Sequence, residues 1–108
     1  WDSFSKSRSM PNDKRALTEI ITESFDRLPC IISTGSVWSS NDASNLIKQG
    51  ANLIGVGRVA IPHPDWPKNL KNANYNPKRP PFSVSELEQA KLNPSFIAYM
   101  KNWENFVK

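Results

Sequence analysis

The chain has 108 residues, 38% of them hydrophobic, which suffices for one domain with a modest core. Its net charge is +4, but the basic residues occur in scattered pairs, so no nucleic-acid partner is predicted. The apolar runs are shorter than the ~18 residues of a membrane span, and no secretory leader is visible, so no membrane partner is predicted. The single cysteine, Cys30, excludes an internal disulfide and favours a cytoplasmic location.

The first predicted helix follows a polar segment. Residues 1–12 are rich in Ser, Lys, Arg and Asn and are predicted to form a loop. A helix is predicted from the turn at residues 11–13 to about Phe25. The apolar residues of this segment recur at helical spacing, as one face of an amphipathic helix requires: Leu17, Ile20, Ile21 and Phe25.

Two apolar runs joined by a short helix predict a βαβ unit. The runs Pro29–Ser33 and Leu53–Val56 are apolar almost throughout, which is typical of parallel strands buried on both faces. Ser39 is a natural N-cap for the helix between them, and Gly50 is expected to end that helix in the left-handed conformation. The order of these elements predicts a right-handed parallel crossover.

Prolines interrupt this pattern after Arg58, and residues 69–81 are predicted to be irregular surface chain. Ser83 begins a capping-box sequence, and Asn93-Pro94 combines an N-cap with proline at the first helical position, so two further helices are expected. The last of them is predicted to present an aromatic stripe for docking: Phe96, Tyr99, Met100, Trp103 and Phe106.

The residues that suggest a function follow the two predicted strands. The first strand ends in Ser33-Thr34-Gly35 and the second in Gly57-Arg58. Because parallel strands place their carboxyl ends at one edge of a sheet, these residues should meet where ligands bind. Glycine lets a phosphate approach the backbone N–H groups, and the arginine fork matches phosphate oxygens. Adjacent final strands of a (β/α)₈ barrel form a phosphate site in this way. We prefer this hypothesis to a simple turn glycine and a surface cation.

No metal site and no catalytic residue are predicted. His63 is the sole histidine, and nothing in the sequence supplies the three or four ligands that zinc requires. Cys30 lies in an apolar run with no activating charge nearby, which argues against a nucleophilic role.

The same segments resemble a known family. They are Pro29–Gly35, Asp42-Ala43, Leu46-Ile47, Gly50–Ile54 and Val56–Arg58. Together they look like the last two βα units of the old yellow enzyme family, which comprises NADH:flavin oxidoreductases and ene-reductases. Residues 63–67 resemble the stretch after the family's arginine, with His63 where Asn is usual. Residues 1–6 resemble the segment after the sixth barrel strand in one NADH-dependent branch.

The resemblance implies an α/β fold: the C-terminal part of a (β/α)₈ TIM barrel, strands 7 and 8 with their helices, plus a helical C-terminal extension. Residues 1–67 would form the βα units with an FMN-phosphate site, and residues 68–108 an irregular linker and the extension. FMN would be held by its phosphate. The residues implied are Gly35 and Gly57 through their N–H groups, Arg58 through its side chain, and Ser33 and Thr34 lining the approach.

The implied activity is hydride transfer from NADH or NADPH through FMN to an electron-poor acceptor such as an activated alkene. The family's catalytic residues come from earlier strands, so this chain alone is expected to be inactive. Because it opens on Trp1 and holds two strands of an eight-stranded barrel, we expect it to pair with a missing N-terminal part or with another copy of itself. Two alternatives remain open: a phosphate-binding barrel aldolase or isomerase, and a small non-catalytic interaction module.

Overall fold

A computed structural model describes residues 2–6 and 11–108. These residues form five α-helices, one 3₁₀ turn and one two-stranded sheet. In chain order the elements are α1 (Leu17–Ser24), β1 (Ile32–Thr34), α2 (Ser40–Lys48), β2 (Leu53–Gly55), the 3₁₀ turn (Arg58–Ala60), α3 (Trp66–Asn69), α4 (Val84–Gln89) and α5 (Pro94–Met100). Among these described helices, none has the length and apolar character needed to cross a bilayer. Trp1, on which part of the resemblance falls, lies outside the described residues.

The two strands pair in parallel, as the sequence predicts. Ile32 lies opposite Leu53, and Thr34 lies opposite Gly55. The carbonyl of Ile31 accepts a hydrogen bond of 3.1 Å from the Leu53 N–H and extends the pairing by one residue. Because the two strands run in parallel, their carboxyl ends lie at the same edge of the sheet, and α2 provides the connection between them.

Both ends of α2 are fixed by its own sequence. The Ser39 hydroxyl accepts from the Asp42 N–H at 3.1 Å, and the Asp42 carboxylate accepts from the N–H groups of Trp38 and Ser39 at 3.0 and 2.9 Å. Gly50 follows the helix at a φ of +102°, as predicted, where a Cβ would lie 2.6 Å from the Thr22 methyl group. The predicted cap and terminator are therefore confirmed.

The predicted fold class, an α/β barrel end with strands 7 and 8 and a helical extension, is wrong for this chain. The described residues form five helices and two three-residue strands, and no barrel. Ile32 is 62% exposed and Leu53 is 54% exposed, although both strands were expected to be buried on both faces. Cys30 precedes β1 and is exposed. An apolar sequence makes a strand suitable for burial, but the strand is buried only where other segments of the chain pack against it.

Helix α1 is shorter than predicted, and its apolar face is not the face that packs. Ile21 and Phe25 are exposed, whereas Thr18 is buried. The Thr18 hydroxyl lies 3.1 Å from the Ser33 hydroxyl of β1. One hydrogen bond between two hydroxyl groups therefore joins α1 to the sheet, where apolar packing was expected.

The core is built by the residues that follow β1 in the sequence, on α2, the 3₁₀ turn and the later helices. Its most deeply buried side chains are Leu46, Val59, Phe82 and Leu87. The indole Nε1 of Trp66 donates a buried hydrogen bond of 2.7 Å to the Trp38 carbonyl. Residues from both sides of the boundary predicted after residue 67 contribute to this one core.

The C-terminal tail returns to the core after α5 ends at Met100, although the helix was predicted to continue. The Phe82 N–H donates to the Phe106 carbonyl at 2.9 Å, and the Lys108 N–H donates to the Phe82 carbonyl at 2.9 Å. The predicted single aromatic stripe is therefore wrong, because Met100 and Phe106 are buried while Trp103 is exposed.

Helix α4 begins with the predicted capping box. The Glu86 carboxylate accepts from the Ser83 N–H at 2.7 Å, and the Ser83 hydroxyl accepts from the Glu86 N–H at 3.3 Å. Glu86 also pairs with Lys78. The hydrogen bond from Lys78, followed by that from the Ser83 backbone, lowers the pKa of Glu86 from its ordinary 4.5 to about 2.

Phe82 and Phe25 provide a matched test of the core. Phe82 is 2% exposed and Phe25 is 61% exposed. We expect Phe82→Ala to lower the free energy of unfolding by about 3–5 kcal/mol, because it leaves a cavity beside Phe106. Phe25→Ala should change it by no more than about 0.5 kcal/mol. Urea unfolding followed by circular dichroism measures both, and equal losses would contradict the assigned core.

The Glu86 contacts predict an acid-dependent loss of stability. Because folding lowers the pKa of Glu86, its carboxylate stabilises the folded chain above pH 4.5, and this contribution disappears as the pH falls from 4.5 towards 2. Glu86→Gln should therefore flatten the decline of unfolding free energy in that window. Glu88→Gln, an exposed position on the same helix, serves as the control. Parallel pH profiles for wild type and Glu86→Gln would contradict the assignment.

Candidate functional site

A cavity of about 360 Å³ opens at the carboxyl ends of β1 and β2. Three parts of the chain line it: the turn after β1, the turn after β2 and one residue of the C-terminal tail. The lining comprises residues 34–38, residues 55–59 and Trp103. The convergence predicted from the parallel pairing is therefore present as a single concave site.

Four of the five predicted site residues lie on this cavity: Thr34, Gly35, Gly57 and Arg58. The fifth, Ser33, is buried and is not part of the lining; its hydroxyl contacts Thr18 on α1. Successive residues of a strand point to opposite faces, which accounts for the different surroundings of Ser33 and Thr34. Phosphate binding by these residues stays a prediction.

The backbone at the cavity offers hydrogen-bond donors. Within residues 2–6 and 11–108, the N–H groups of Gly57 and Arg58 donate to no acceptor, whereas the Gly35 N–H continues the pairing of β1 with β2. Gly35 has a φ of +124°, which favours glycine. A Cβ added to Gly57 would meet no atom within 4 Å, so an oxygen atom has room to approach that backbone. Unpaired N–H groups facing open space suit an anion.

Arg58 adds a full positive charge to these donors. It is the first residue of the 3₁₀ turn and is exposed. No carboxylate in the described part of the chain forms an ion pair with it. Its guanidinium can therefore face a ligand, and its planar fork matches two phosphate oxygens. A phosphate-bearing cofactor consequently fits the residues present.

Gly55 has a structural role that the sequence did not suggest. A Cβ at Gly55 would lie 2.0 Å from Oγ1 and 3.1 Å from Cβ of Thr34, the residue opposite it in the sheet. Glycine at this position lets the Thr34 side chain lie across β2. It thereby helps to set the shape of the cavity rim.

Two tryptophans complete the cavity. Trp38, for which the sequence left shielding and packing open, lines the cavity and is also buried in the core, with the Arg79 guanidinium 5.7 Å from its ring centre. Trp103 was missed because helical spacing placed it on the predicted stripe. The sequence does indicate that the helix ends before Trp103, because Asn102 and Asn105 favour turns. In the structure Asn105 has a φ of +59°.

A second cavity of about 410 Å³ is lined in part by His63, Lys78 and Glu86, and these three residues bind one another. Nε2 of His63 lies 2.8 Å from the Lys78 carbonyl oxygen, and the Lys78 side chain pairs with Glu86. Across the described residues, no three His, Cys, Asp or Glu side chains form a group suited to a metal ion. These contacts hold the proline-rich segment in place.

Comparison with known proteins gives two similarities. No protein-family profile matches the chain, and no solved structure matches it. The chain is 29% identical over 97 residues to the acetolactate synthase large subunit of Haemophilus influenzae, covering 82% of this chain and 17% of that protein. It is 29% identical over 70 residues to "Probable NADH-dependent flavin oxidoreductase YqiG" of Bacillus subtilis, covering 65% of this chain and 19% of that protein.

The chain thus spans less than a fifth of either relative, at low identity. The second similarity gives partial support to a flavin oxidoreductase family and to the oxidoreductase, flavin and NADH assignments. It does not extend to an old yellow enzyme fragment, which stays a prediction.

The contact between Gly55 and Thr34 can be tested by rescue. We expect Gly55→Ala to lower the free energy of unfolding by about 1–3 kcal/mol, because the new methyl group overlaps the Thr34 side chain. In a Thr34→Ala background the clash with Oγ1 is removed, so the same substitution should cost less. A double-mutant cycle from urea unfolding measures this coupling. Additive effects of the two substitutions would contradict the contact.

Proposed function

We propose that this chain is the phosphate-binding segment of an NADH-dependent flavin oxidoreductase that uses FMN. The observation that carries the proposal is the meeting of Gly35, Gly57 and Arg58 at one cavity, where the N–H groups of Gly57 and Arg58 have no acceptor in the described chain. The partial similarity to the Bacillus subtilis flavin oxidoreductase supports the same assignment.

The proposed contacts divide the binding of the phosphate between two chemical groups. The N–H groups of Gly57 and Arg58 donate to phosphate oxygens, Gly35 leaves the rim without a side chain, and the Arg58 guanidinium neutralises the phosphate charge. Hydrogen bonds to a charged group contribute about 1.5–3 kcal/mol each, so a few of them can hold a flavin phosphate firmly. Thr34 lines the approach. Ser33 supports β1 from behind through its contact with Thr18.

When bound, FMN supplies the transfer of hydride from NADH to an electron-poor acceptor such as an activated alkene. This chain contributes binding and orientation, because its strand-end residues hold the phosphate end of the cofactor. We assign no catalytic residue within it and expect no turnover from the 108-residue chain alone. Residues 1–67 carry the phosphate contacts in this proposal, and residues 68–108 complete the shared core and add Trp103 to the cavity lining. The single cysteine supports a cytoplasmic location.

We prefer a function as a flavin oxidoreductase to a function in acetolactate synthesis for one reason. The similarity to acetolactate synthase covers more of the chain, but a flavin phosphate accounts directly for the donors at the strand ends. No contact in the described residues favours an aldolase, an isomerase or a non-catalytic module over this assignment.

The visible spectrum of the protein made from the full reading frame, purified without added cofactor, tests the proposal. We expect flavin absorbance bands that shift on denaturation, with FMN released into the supernatant and identified by chromatography. Release of FAD, or a colourless protein that stays colourless after incubation with FMN, would overturn the proposal. The same preparation is assayed for acetolactate formation to test the competing similarity.

Replacing the arginine tests the phosphate contact itself. We expect Arg58→Ala to weaken FMN binding by about 10- to 100-fold, because a charge-assisted contact is lost. Arg27→Ala removes the same charge before β1, at the opposite end of the strand, and serves as the control. Titration of flavin absorbance or fluorescence gives both affinities. Equal losses in the two variants would indicate a general charge effect.

A further inference from the structure

We propose that Trp103 forms the wall of the strand-end cavity that contacts the organic part of a phosphorylated ligand. It is the one lining residue in the described chain that comes from beyond residue 59. This inference rests on the proposed function and goes beyond it, because it assigns a second recognition element and narrows the ligand class.

The tail holds Trp103 in a defined place. The Trp103 N–H donates to the Met100 carbonyl at 3.1 Å, and the Phe106 N–H donates to the Trp103 carbonyl at 3.1 Å. Met100 and Phe106 are both buried in the core. Phe82 binds the segment after Trp103 through two backbone hydrogen bonds. The indole is therefore carried on a turn that is fixed at both ends.

The indole itself remains available to a ligand. Trp103 is 52% exposed although the residues that anchor its turn are buried. Its Nε1 makes no hydrogen bond within the described residues, in contrast to Nε1 of Trp66. A large aromatic surface left in water at the mouth of a cavity gains free energy when a ligand covers it.

The remaining lining explains which ligands fit. The N–H groups and Arg58 make one part of the cavity polar, whereas Val37, Val56 and Val59 are apolar. An indole beside such a site favours an anion attached to a planar or otherwise extended organic group. A phosphate monoester with an aromatic ring meets both requirements, and FMN belongs to this class. Inorganic phosphate would use only the polar part.

Tyr99 offers a matched control. It is 54% exposed, close to Trp103 in sequence, and stacks on Phe96 with ring centres 6.0 Å apart. It does not line the cavity. Loss of its ring should therefore perturb the surface of α5 without changing the site.

The experiment measures the affinities of three probes, FMN, riboflavin and inorganic phosphate, for the protein made from the full reading frame. We expect Trp103→Ala to weaken FMN and riboflavin by a similar factor of about ten, and to leave inorganic phosphate unchanged. Arg58→Ala should show the opposite pattern, weakening FMN and phosphate but not riboflavin. Trp103→Phe should restore most of the affinity, and Tyr99→Ala should match wild type.

Each outcome decides between the two proposals. Unchanged FMN and riboflavin affinity in Trp103→Ala would overturn the inference while leaving the phosphate site intact. Equal weakening of all three probes would also overturn it, because Trp103 would then act only through the fold. If wild type binds inorganic phosphate but not FMN, the proposed function fails, and this inference fails with it.

Discussion

The parallel pairing of β1 with β2 is the constraint on which the candidate site depends. Three residue pairs set the register, and the last of them places Gly55 opposite Thr34. A slip of one residue would turn every side chain of one strand to the other face and place a Cβ-bearing residue against Thr34. It would also separate the turn that carries Gly35 from the turn that carries Gly57. The cavity is thus a consequence of register, and its glycines act through backbone geometry.

The core and the site belong to one body, because the same segments build both. Trp38 lines the cavity, packs in the core and has its carbonyl bound by the indole of Trp66. Val59 is almost fully buried and also contributes to the lining. Such sharing keeps the donors at the strand ends rigid, which matters because a phosphate contact loses strength steeply with misalignment.

Local signals predicted much of this arrangement, and long-range contacts account for what they missed. The caps at Ser39 and Ser83 and the terminator Gly50 act over three or four residues, so the sequence around each is sufficient. The convergence of the two strand ends followed from the parallel crossover. The exposure of Ile32 could not be predicted in this way, because it depends on whether a distant segment packs over the sheet. The position of Trp103 likewise depends on the return of the tail to Phe82, for which helical spacing carries no information.

The bridge between Phe82 and Val107 makes the cavity depend on the tail as well as on the sheet. Gly35, Gly57 and Arg58 supply the polar part of the recess, and the segment between α5 and this bridge supplies Trp103, its one wall from outside the strand ends. Loosening of the tail would therefore open the recess on the indole side and leave the charge of Arg58 in place.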